Sequence, residues 1–303
     1  MKKTGFPIVS ACTNAASKEE TIMLKDSKSL EVSCYVLGAG AFGVFFRWMQ
    51  LQLAYNAEGL PDRSVWNFFI ILLIAVAAGI FWYFIRRNEK AALSLPGDFF
   101  AALRNPGKLY AAFRWLIGLV MIAGSVLLFF TCEVDMNADF LRVLSGFGVL
   151  TGLSFPLLLV CANKPHVSKN GTITLLSFLP LLFFCVWLLT SYKQNSINPV
   201  GWDYAVEILT LIVDMMAFFR IAGFAYGVPD GKKSMFLCML GAMLSITCLA
   251  DNRFLGQQVM FFAIALMLTM YNWIMLANLT SVPKDVSSAK EEDDEEEEIV
   301  EPV

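Results

Sequence analysis

The chain has 303 residues, of which 57% are hydrophobic and 16% charged, with a formal net charge of −3. A soluble domain carries about 25% charged residues, and here uninterrupted apolar runs of bilayer length stand in their place. The net charge misleads, because residues 288–302 hold nine acids and the remainder is mildly basic.

Seven scattered cysteines with no CxxC pair, and a single histidine at His166, exclude bis-His haem and the usual zinc spacings. Residues 1–33 form a polar arm with five lysines and four acids, read as cytoplasmic. Val9, Ser10, Ala11 and Cys12 loosely match a lipobox, but the stretch after Lys3 is too short for a signal h-region.

Eight spans are predicted at 34–54, 66–85, 112–131, 141–161, 172–191, 203–226, 235–250 and 257–279. The fold class is therefore an all-α polytopic bundle with a short interfacial helix near 98–105. Alternate connecting segments hold 17 Lys and Arg on one side and four on the other. The positive-inside rule then places both termini in the cytoplasm, with the plasma membrane as the expected location.

The first span contains Gly38, Gly40 and Gly43 in GxGxxG spacing. It lies inside an apolar run, so it reads as small-residue helix packing and not as a dinucleotide loop. Gly148 and Gly152 in the fourth span form a GxxxG with the same meaning. The cytoplasmic segment 86–114 holds most of a tandem ten-residue repeat, Pro96–Asn105 followed by Pro106–Trp115. The first copy is expected to lie on the inner leaflet as a short helix, and the second to turn into the third span.

Pro156 and Pro180 each remove a helix hydrogen bond in the fourth and fifth spans and are hinge candidates, with Ser154 and Ser177 close enough to meet the freed carbonyls. Gln257 and Gln258 at the outer end of the eighth span, and Asn272 and Asn278 towards its inner end, are expected to hydrogen-bond between helices as packing groups. Asp251, Asn252 and Arg253 fall outside, beyond the seventh span. The tail after residue 280 is too acidic to fold alone and is a candidate docking site for a basic protein partner.

The sixth span carries Asp203, Glu207, Asp214 and Arg220. At about 100° per residue, Glu207 falls about 40° and Asp214 about 20° from Asp203, so the three acids share one face. Arg220 sits off that stripe and is expected to snorkel to the inner interface. Acids within a span are costly and are kept when they pair, face water or do work. Arg47, in the outer half of the first span, is the expected counter-ion.

The leading expectation is a secondary transporter or permease for a small solute or ion. Asp203 and Glu207 would form its entrance, Asp214 the coupling carboxylate, and Arg47 the gate. The alternative is a non-catalytic scaffold or sensor subunit recruiting partners through the acidic tail and the repeat. No protease, P-loop or hydrolase pattern is present, so no enzyme activity, cofactor, metal or nucleic-acid partner is expected. Membrane lipid is the expected surrounding.

Overall fold

The computed structural model describes residues 7–53, 65–90, 93–104, 107–132, 138–164, 170–195 and 201–281. His166, the acidic tail and the side chains of Cys12 and Asp203 lie outside the described residues.

The helices are α1 (Pro7–Leu53), α2 (Val65–Lys90), the one-turn α3 (Phe99–Ala102), α4 (Lys108–Thr131), α5 (Ala138–Ala162), α6 (Asn170–Asn195), α7 (Gly201–Ala225), α8 (Gly231–Thr247) and α9 (Leu255–Ala277). Eight of them hold stretches long and apolar enough to cross a bilayer, which makes this an all-α integral membrane protein. In α1 that stretch is Leu30–Leu53, and the helix also continues back through the polar arm to Pro7.

Helices α4 to α9 each touch the next, and α9 closes back onto α4, forming a six-helix ring. The α1–α2 hairpin packs outside it, with α1 against α8 and α9. Helices α8 and α9 are the most enclosed, 67% and 72% buried along their spans against 28% for α2. This explains why α8 shows no apolar stripe: almost every face of it meets protein.

Aromatic side chains fill the ring. Trp187 of α6 lies 4.5 Å from Phe261 of α9, and Tyr271 of α9 lies 5.2 Å from Phe155 of α5 and 6.0 Å from Phe218 of α7. All five are at most 3% exposed. Edge-to-face pairs of this kind add about 0.5–1.5 kcal/mol each beyond the area they bury.

Small residues set two of the closest crossings. A Cβ on Gly118 of α4 would meet the Gly152 carbonyl of α5 at 2.6 Å, and one on Gly43 of α1 would meet Thr247 of α8 at 2.1 Å. Both glycine motifs thus act in helix packing, as their apolar setting predicts. Pro156 and Pro180 lie within α5 and α6 without ending either helix. The nearby serines do not serve the carbonyls freed by those prolines. Ser154 donates to Thr151 O at 2.9 Å and Ser177 to Thr174 O at 2.9 Å, whereas the Gly152 carbonyl faces Gly118.

The repeat 96–115 behaves as two units. Asp98 caps α3 by accepting from the Ala101 amide at 3.2 Å, and the second copy opens α4. The first copy forms the expected short helix, one side of which packs on the end of the bundle. Phe99, Ala102 and Leu103 are buried, and Asn278 at the end of α9 donates to Ala102 O at 2.9 Å and Arg104 O at 2.8 Å. A two-residue antiparallel pairing, β1 (Leu93–Ser94) with β2 (Thr280–Ser281), adds a second tie.

Candidate functional site

Helix α7 carries the acids. Glu207 and Asp214 are seven residues apart, about 10 Å along the axis and within about 20° of each other in azimuth. Both are fully buried. Asp214 meets α8 at Ser245 and Gly241, and Glu207 meets Arg253 of the α8–α9 connection with α6 beside it, so both acids are covered by protein.

That connection is the key to the site. Helix α8 runs straight into a 3-10 turn at Cys248–Ala250, and together they form a 20-residue span, Gly231–Ala250. The chain then turns back to Phe254 at the start of α9, with Asp251 buried and Asn252 exposed. Buried non-helical backbone needs protein partners. The Asp251 amide donates to Cys248 O at 3.1 Å, the Arg253 amide to Asp251 O at 2.9 Å, and Gln258 Nε2 to Asp251 O at 2.8 Å.

Two buried ion pairs result. Arg47, 0% exposed, donates through Nε to Asp251 Oδ1 at 2.6 Å and through Nη1 to Gln50 Oε1 at 2.7 Å. Gln50 in turn donates to Asn67 of α2. Arg253 Nη2 contacts Glu207 Oε2 at 2.6 Å. The indole of Trp187 and the hydroxyl of Ser191 stand beside Glu207 without good hydrogen-bond geometry. Asp251 acts electrostatically on Glu207, so the pairs adjoin as one cluster of two guanidinium and two carboxylate groups.

This corrects the expected pairing. Arg47 is buried, but it meets Asp251 where Asp214 was expected, and Glu207 meets Arg253. Asp251 and Arg253 follow the seventh apolar run as expected, but their side chains turn back onto the end of the bundle, which the sequence pattern alone does not signal.

Asp214 is the residue left over. Its Oδ2 accepts from Ser245 Oγ of α8 at 2.7 Å. Its Oδ1 has no hydrogen-bond partner among the described residues. No cation among them pairs with it; its remaining surroundings include Gly241 and Leu268. A Cβ at Gly241 would lie 2.4 Å from Oδ1, so the missing side chain is what leaves space for the carboxyl.

Arg220 stands at the opposite end of α7 and is 30% exposed, 3.7 Å from Asp230. Asp230 caps α8, accepting from the Lys233 amide at 3.2 Å, and Lys233 Nζ is 3.0 Å from it. Partial burial opposes ionisation, but Lys233 and Arg220 together hold the Asp230 carboxyl below its ordinary 3.8.

Beside the charge cluster, a shallow pocket of about 360 Å³ opens at the Glu207 end, lined by Gln194, Asn195, Asn252, Arg253, Phe254 and Gln257. Gln257 is 1% exposed, and among the described residues neither its Oε1 nor its Nε2 has a hydrogen-bond partner, so it does not serve as the inter-helix packing amide expected. The remaining described pockets are largely apolar grooves between helices. Compared with known proteins, the chain matches no family model, no curated protein and no solved structure.

Proposed function

We propose that this eight-span protein is a non-enzymatic secondary transporter or permease for a small solute or ion, with Asp214 as the coupling carboxyl. The observation that supports this reading is the distribution of charge partners. Buried acids that serve structure have counter-ions, and Glu207 and Asp251 have theirs. Asp214 is fully buried and, among the described residues, has one oxygen unsatisfied and no cation beside it. An isolated carboxyl at that depth is costly to keep, and the ordinary reason to keep it is exchange of a proton or a cation.

In this reading the Glu207 end faces outward and both termini lie in the cytoplasm of a cell bordered by its plasma membrane. Solute enters at the polar pocket, and the Arg253–Glu207 and Arg47–Asp251 pairs form the gate between that pocket and Asp214. The α5–α6 hairpin flexes at Pro156 and Pro180. Proteoliposomes on a solid-supported membrane, challenged with solute and pH steps, test the proposal. Wild type gives transient currents that Asp214→Asn loses while inserting normally. Equal currents from the variant would remove Asp214 from the mechanism.

One observation favours the alternative, a membrane scaffold or sensor subunit. The ring is filled by Trp187, Phe261, Tyr271 and their neighbours, and none of the described pockets is lined by Asp214. In that case the acidic tail and the repeat recruit a partner, and deleting residues 288–303 abolishes its capture.

A further inference from the structure

The pocket at the Glu207 end has three features that an interface for water alone does not need. The first is Gln257, an amide buried to 1% exposure, lining the pocket with neither its donor nor its acceptor used among the described residues. Leaving such a group unmet is destabilising, so its retention points to a ligand that meets it. The second is the start of α9. Phe254 provides no side-chain cap, so the first-turn amides and the positive end of a 23-residue helix face the pocket region. The third is Arg253, 15% exposed on the pocket wall, with Glu207 held 2.6 Å behind it at 1% exposure.

Charge conservation narrows the ligand. An anion that took Arg253 for itself would strand Glu207 as an unpaired buried charge, which is strongly unfavourable. A cation drawn to Glu207 would strand Arg253 in the same way. A ligand carrying both charges escapes both penalties. Its carboxylate takes Arg253, the Gln257 amide N–H and the α9 amides, while its ammonium takes Glu207 and the Gln257 carbonyl. One internal ion pair becomes two, and the net buried charge is unchanged.

We propose that this pocket binds a small zwitterion of the α-amino-acid type, inserted into the Arg253–Glu207 pair. The assignment rests on the transport reading for its purpose, but binding is measurable without transport. Purified full-length protein in detergent is titrated with L-alanine, L-glutamine and L-leucine, with propionate as the carboxylate alone and propylamine as the ammonium alone. The readout is the melting temperature.

At least one amino acid raises the midpoint saturably, and the two single-charge probes do not. The double variant Arg253→Gln with Glu207→Gln removes both charges together, so it keeps its fold while losing about tenfold or more in apparent affinity. Gln257→Leu weakens binding. A response to propionate equal to that of the amino acids, no response to any of the three, or undiminished binding by the double variant overturns the assignment. A zwitterion that binds but drives no Asp214-dependent current overturns transport alone. An Asp214-dependent current driven by a solute lacking either charge overturns the pocket assignment alone.

Discussion

Arg47 gives the sharpest energetic prediction. Replacing it with Met keeps the length and apolar stem of the side chain but removes the partner of Asp251 Oδ1 at 2.6 Å and of Gln50 Oε1 at 2.7 Å. Stranding a buried charge by deleting its partner costs about 3–5 kcal/mol. The orphaned Gln50 acceptor alone would cost about 1–3 kcal/mol, and since the two losses share one side chain they do not add fully. The single variant is therefore expected to lose about 4 kcal/mol. Asp251→Asn is milder, because an amide still accepts from Arg47.

Removing both partners, Arg47→Met with Asp251→Leu, leaves no stranded charge. It is expected to cost less than Arg47→Met alone, with a coupling of about 1 kcal/mol or more. Reversible unfolding in lipid bicelles, read by tryptophan fluorescence, measures all four corners of the cycle. A loss below about 1 kcal/mol for Arg47→Met, or additive single losses, would refute a buried, mutually dependent pair.

Other perturbations test separate parts of the fold. Gly118→Val should weaken the α4–α5 contact by about 1–3 kcal/mol, since even a Cβ there meets Gly152 O at 2.6 Å; thermal unfolding reads this. Gly241→Ala should force Asp214 or Leu268 to move, given Cβ distances of 2.4 and 2.9 Å, and should alter any Asp214-dependent current more than it alters stability. Asp230→Ala should cost about 0.5–2 kcal/mol through the lost α8 cap. Because the folded Asp230 carboxyl titrates below its ordinary value, its ionic contribution is present at neutral pH and is lost as pH falls below about 3.9. The gap between wild type and Asp230→Asn in a pH-stability series should narrow over that acid range and stay constant above it. Asn278→Leu should release the Phe99–Ala102 segment and increase amide hydrogen exchange there, with little effect at α4.

The eight spans were legible because each is an apolar run whose length alone reports its place, independent of its neighbours. The packing role of Gly148 and Gly152 was legible for a similar reason: a small-residue motif inside a span has few other uses. Helical counting also placed Glu207 and Asp214 correctly on one face. Counting gives a face, though, and not what lies opposite. The partner of Arg47 depends on α1 packing against α8, and on the α8–α9 connection folding back so that Asp251 is buried beside Arg47. Charge after an apolar run marks the end of a span, not the direction in which those side chains turn. The short Phe99–Ala102 helix was legible, but not its ties to the bundle. Its aromatic residues fit a membrane surface and the end of a helix bundle equally well, and Asn278 lies 176 residues from the Ala102 carbonyl it holds.

The central claim is that Asp214 is kept for exchange and not for packing. Solute- and pH-driven current in proteoliposomes, compared between wild type and Asp214→Asn at matched insertion and orientation, tests it most directly. The account predicts current in wild type and its loss in the variant. Current of equal size and equal pH dependence in Asp214→Asn would contradict it.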